Sequence, residues 1–138
     1  MGCLSNYTQS TPHECDFGSK TSSKLVVLFG DSHMEQWLPA FQLIARQNDW
    51  KLALFVKSAC PSLAIRVGAQ QAPGENERCD AWRKSAIERI RQLHPAAVVL
   101  SNAGGYTVVD QSDTYQAPSA WQAGARKRWR HFKQTPSR

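Results

Sequence analysis

Residues 25–37, LVVLFGDSHMEQW, decide how this chain folds. Leu25 to Phe29 is an unbroken apolar run, the mark of a strand buried on both faces. The run stops at Gly30-Asp31-Ser32, and the spacing changes at once to that of an amphipathic helix. Met34, Trp37, Leu38, Phe41, Ile44 and Ala45 fall on one face of it. Pro39 interrupts the pattern, so one short turn is expected after Ser32 and the main helix is expected to begin near Pro39.

Outward from that stretch the same alternation continues. Leu52 to Val56 reads as a second strand, and residues 57–78 read as a long loop. A helix follows with Trp82, Ala86, Ile90 and Leu93 on one face, and Pro95 ends it. Ala96 to Leu100 reads as a third buried strand, and Trp121, Ala125, Trp129 and Phe132 form the stripe of a last helix. Buried strands alternating with helices predict a three-layer α/β/α sandwich around a parallel sheet, of flavodoxin-like type. Residues 1–24, polar and rich in Ser and Thr, read as an irregular leader carrying Cys3 and Cys15, ahead of a domain spanning residues 25–138. No apolar run approaches the roughly 18 residues of a membrane span.

The net charge of +6 is unevenly spread. Residues 1–113 hold 11 Lys and Arg against 11 Asp and Glu, whereas Arg126, Lys127, Arg128, Arg130, Lys133 and Arg138 face no acid. The domain itself is therefore neutral, and the basic residues are expected on the polar face of the last helix rather than on nucleic acid. A small basic domain that binds nucleic acid is the weaker alternative; it requires salt-dependent binding lost on deleting residues 121–138.

The four cysteines, Cys3, Cys15, Cys60 and Cys79, form no Cys-x-x-Cys pair and have no histidine at zinc-finger spacing, so no metal site is expected. Three disulfide pairings are open. The local one, Cys3–Cys15 with Cys60–Cys79, closes two short loops and could add roughly 3 kcal/mol each in an oxidising compartment. Four buried thiols are the alternative. No signal peptide precedes Cys3, which leads to the expectation that Met1 begins a piece of a longer protein. MGCLSN lacks the Ser or Thr of a myristoylation signal at position 6, and Asn6-Tyr7-Thr8 matches a short glycosylation pattern.

Ligands of such sheets bind outside the carboxyl ends of the strands. Three loops meet that description: Gly30-Asp31-Ser32, Lys57-Ser58-Ala59, and Ser101 to Gly105. Ser32, at a helix N-terminus, has free N–H groups that favour developing negative charge, and Gly30 is expected to permit a sharp turn out of the strand. The Ser32 N–H and the Asn102 amide would form an oxyanion hole, each donor being worth about 3 kcal/mol in a transition state. The bland alternatives are a helix cap for Ser32 and a turn residue for Asn102.

GDSHMEQWLPAF, residues 30–41, resembles block I of the SGNH (GDSL-like) hydrolases, and more closely the SGNH domains fused to bacterial acyltransferase-3 membrane proteins. The cysteine-bearing leader, KSACPS at 57–62, Cys79-x-x-Trp82 and VVLSN at 98–102 are similar to that family in the same order. The resemblance implies an extracytoplasmic or periplasmic domain, tethered to the inner membrane through an acyltransferase-3 partner domain. It implies a serine esterase or O-acyltransferase without cofactor, moving acyl groups, commonly acetyl, on glycans such as lipopolysaccharide, O-antigen or peptidoglycan.

Carried over by position, the resemblance makes Ser32 the nucleophile and Asn102 an oxyanion donor. Gly30, Asp31 and His33 are motif residues, and Ser58 and Ala59 stand where the block II glycine belongs. The family's base sits in an Asp-x-x-His, and none of His13, His33, His94 and His131 has Asp three residues before it. In the family another strand would follow SAWQAGARKRW, residues 119–129, ahead of the His-bearing loop; the chain stops at KQTPSR first. A domain incomplete at its C-terminus, and inactive alone, is the expectation that follows. A non-catalytic glycan-binding remnant is the second reading.

Overall fold

The structure, a computed structural model, describes residues 2–68 and 71–109. They divide into two units, residues 2–62 with 71–103, and residues 63–68 with 104–109.

The first unit is built on the Leu25–Gly30 strand. In chain order its elements are β1 (Leu4–Ser5), β2 (Cys15–Gly18), β3 (Leu25–Gly30), α1 (Ser32–Asn48) and β4 (Lys51–Lys57). In the second unit, β5 (Arg66–Val67) and β7 (Val108–Val109) pair antiparallel. Between them in sequence come α2 (Glu75–Leu93) and β6 (Ala97–Ser101), both in the first unit. The main sheet runs β1-β4-β3-β6, all parallel. The chain passes from β3 through α1 to β4, then through α2 to β6 on the other side of β3. The order therefore reverses at the carboxyl ends of β3 and β6, the place where open α/β sheets hold their ligands.

Period-2 alternation sends neighbouring side chains of each strand to opposite layers. Val26, Leu28, Leu52, Leu54 and Val56 pack in one cluster with Met34, Leu38 and Ala45 of α1. The intervening Val27, Phe29, Ala53 and Phe55 are equally buried, and Phe29 stacks on Trp82 of α2 with ring centroids 5.8 Å apart. Because both faces are covered, the strands read as continuous apolar runs rather than as alternating ones. The sequence-predicted α/β/α architecture is the one observed.

Three local expectations change. The helix after Ser32 is continuous, with Pro39 inside it and exposed. The lost N–H bond of Pro39 falls on the solvent side, where water can satisfy the Glu35 carbonyl. Residues 1–24 are not irregular throughout: β1 pairs parallel and β2 antiparallel along the same edge of β4, and the Cys3–Cys15 disulfide ties them together. Finally, β6 pairs only with β3 among the described residues, and Ala97 and Leu100 are exposed rather than buried.

The second disulfide joins Cys60, after β4, to Cys79 of α2. Both bridges follow the local pairing. The α2 stripe is as expected at Trp82, Ala86 and Ile90, though the helix begins earlier than its Cys-x-x-Trp, at Glu75. No described helix is long and apolar enough to cross a membrane.

Candidate active site

At the tip of β3, Gly30 lies in register with Ser101 of β6. A Cβ at Gly30 would stand 1.9 Å from the Ser101 carbonyl oxygen and 3.1 Å from the Met34 Cβ. Among the described residues the positive-φ glycines are Gly18 and Gly74, so Gly30 is not needed for a special turn. That corrects the sequence reading. The residue is glycine because two strands and a helix start converge where no side chain fits.

Asp31 follows, fully buried, as the N-cap of α1. One carboxylate oxygen accepts the His33 N–H at 2.8 Å and the other accepts the Ala103 N–H at 2.8 Å. The Asp31 carbonyl takes the Met34 N–H at 3.0 Å. Of the first-turn donors that α1 cannot satisfy internally, this leaves the Ser32 N–H outside the hydrogen bonds found among the described residues. Ser32 itself is half-buried. Ser32 and Asn102 each adjoin in sequence one partner of the Asp31–Ala103 bond, so a single buried carboxylate brings the serine and asparagine loops together.

At the end of β4 the chain turns over Lys57-Ser58-Ala59-Cys60, closed by the Cys60 N–H on the Lys57 carbonyl at 3.3 Å. Ala59 has φ 51°, in the left-handed region that favours glycine. Its N–H is in none of the hydrogen bonds found among the described residues, whereas the Ser58 N–H is bonded to the Ser5 carbonyl at 2.9 Å. The strand ends of β3 and β4 thus each present one unoccupied backbone donor.

Lys57 is buried, and its Nζ donates to the carbonyls of Asn6 and of Gln9, the latter at 2.9 Å. Burial lowers its pKa from 10.5 to about 8; nearby Glu75 opposes the shift and Arg78 adds to it. The unfolded chain therefore keeps a proton between about pH 8 and pH 10.5 that the folded chain has released, so folding stability rises with pH across that window. The expected gain is about 1–3 kcal/mol. Equilibrium denaturation of wild type and Lys57→Met at pH 7.5 and 10 checks it: the difference should move in favour of wild type at the higher pH. A difference that stays constant contradicts it.

At the end of β6, Asn102 is half-buried and bonded to Ser62, which is fully buried. The Ser62 N–H donates to Asn102 Oδ1 at 2.7 Å, and Asn102 Nδ2 lies 2.9 Å from Ser62 Oγ.

Three histidines, His13, His33 and His94, fall among the described residues. His33, with its side chain half-exposed, places Nδ1 3.3 Å from Asp31 Oδ1. His94 caps the C-terminus of α2, ahead of β6 and at the opposite end of the sheet from Ser32. His13 is exposed in the segment before β2. His131 and the Trp121–Phe132 stripe lie outside the described residues. Sequence reasoning missed the buried linking role of Asp31 and the bond of Ser62 to Asn102, although Ser62 ends the KSACPS segment. Asp immediately before a helix-starting Ser is an N-cap signal that could have found the first; nothing local marks the second.

A family model described as "SGNH domain (fused to AT3 domains)" matches residues 2–136. No curated protein and no solved structure matches the chain.

Proposed function

Because the chain belongs to the family of SGNH domains fused to AT3 domains, a hydrolase and acyltransferase type, we propose that it acts on acyl esters through Ser32. In this reading Ser32 Oγ bonds to the acyl carbon while the alcohol oxygen of the ester departs with a proton, and a second hydroxyl or water later takes the acyl group. The carbonyl oxygen, negative in the intermediate, is met by the Ser32 N–H, the Asn102 amide and the Ala59 N–H. Ala59, in the backbone region that glycine prefers, stands for the block II glycine. The observation that supports the reading is the Ala103 N–H bond to the Asp31 carboxylate at 2.8 Å, which ties the loop of Asn102 to the loop of Ser32.

The acyl group is proposed to be acetyl, and the acceptor a hydroxyl of a cell-surface glycan in the periplasm or another extracytoplasmic space. The two disulfides support an oxidising compartment. A membrane acyltransferase-3 domain of the full-length protein is the proposed partner. None of the four histidines is assigned as base; without one a serine is a weak nucleophile, and slow turnover is expected.

The test is p-nitrophenyl acetate hydrolysis by the purified chain and by Ser32→Ala. The expected result is slow release of p-nitrophenolate, reduced at least about tenfold by the substitution. A rate indifferent to Ser32 would sink the esterase reading and leave the glycan-binding one.

A further inference from the structure

We propose that Ser62 is a positioning residue that holds the Asn102 amide in its donating orientation; this rests on the oxyanion reading of Asn102 above. A carboxamide can turn over about its last torsion, exchanging a donor face for an acceptor face. The Ser62 backbone N–H can only donate, so the atom 2.7 Å from it must be the Asn102 oxygen. The nitrogen then lies 2.9 Å from Ser62 Oγ, which can accept one of its two hydrogens. The second hydrogen is in none of the hydrogen bonds found among the described residues. It remains for a ligand oxygen.

Ser62 is itself fixed. It ends a segment in which Cys60 is bonded to Cys79 of α2, and the Pro61 carbonyl accepts from Nη1 of the buried Arg83 at 2.7 Å. Ser62 has no exposed surface, so no bulk water can replace its hydroxyl. The serine lies 40 residues from the asparagine in sequence and fills both sides of its amide. A turn asparagine with no task would find its partners locally.

The test compares Ser62→Ala, and the size-matched pair Ser62→Thr and Ser62→Val, in the full chain. The size-matched pair separates packing from hydrogen bonding should the alanine variant fold poorly. Two readouts are taken: side-chain amide exchange of Asn102 by NMR, and the kcat and KM of p-nitrophenyl acetate turnover. Ser62→Ala and Ser62→Val are expected to speed amide exchange about tenfold and lower kcat about fivefold, the scale of one lost hydrogen bond. KM is expected to hold, and Ser62→Thr to retain wild-type behaviour. In an Asn102→Ala background the loss on removing the Ser62 hydroxyl is expected to vanish.

Unchanged Asn102 exchange in Ser62→Val, or an undiminished loss of kcat in the double variant, overturns the positioning role. An Asn102→Ala variant with wild-type kcat overturns instead the oxyanion reading on which it rests. The exchange readout needs no turnover, so it decides the positioning role even for a chain that turns over slowly.

Discussion

Gly30→Ala is expected to cost about 3–5 kcal/mol of folding stability, at the far end of what single substitutions do. The added Cβ would meet the Ser101 carbonyl oxygen at 1.9 Å and its carbon at 3.0 Å. Both are backbone atoms, so no rotamer change relieves the overlap; β6 must move away from β3. That movement breaks the register Gly30↔Ser101 and carries Asn102 and Ala103 away from Asp31. The control is Gly105→Ala, where a Cβ meets nothing within 4 Å; it is expected to change stability by less than about 0.5 kcal/mol. Guanidinium denaturation of the two variants beside wild type checks the contrast, and near-equal stabilities would remove the steric account of Gly30.

Asp31→Ala is expected to cost about 2–4 kcal/mol, combining a lost N-cap with a half-buried N–H left without its acceptor. The capping share belongs to the His33 N–H and the orphaned donor is that of Ala103. Asp31→Asn should keep one share only. Its amide oxygen can serve one of the two N–H groups, while its NH₂ must face the other, donor against donor. The same denaturation series therefore orders the variants: wild type, then Asn, then Ala close behind. An Asn variant as stable as wild type would mean that one of the two bonds, to the His33 N–H or to the Ala103 N–H, contributes nothing.

What could be read in advance follows from how local each cause is. Leu25 to Phe29 announces a doubly buried strand because every side chain there has a covering layer. The Cys3–Cys15 and Cys60–Cys79 bridges close short loops, so pairing by proximity in sequence succeeded. Pro39 misled because a helix rule was applied without its environment. Burial of Met34, Leu38 and Ala45 holds α1 to the sheet on both sides of an exposed proline. The polar leader strands exist through pairing with β4, a tertiary cause that no pattern in residues 4–5 or 15–18 carries. At the site, Ser32 and Asn102 stood out by motif and position. Ser62 reaches Asn102 across 40 residues, and Gly30 is explained only by the strand that arrives beside it.

The central claim is that Ser32 is a nucleophile facing a site for acyl esters. A fluorophosphonate, whose phosphorus bonds to a nucleophilic serine oxygen and expels fluoride, tests it directly on the folded, disulfide-intact chain, over a long incubation because a serine without an assigned base reacts slowly. Intact mass and peptide mapping after incubation should find one adduct, on the peptide that contains Ser32, and none in Ser32→Ala. An adduct on another residue, or no adduct on a folded chain, would contradict the account.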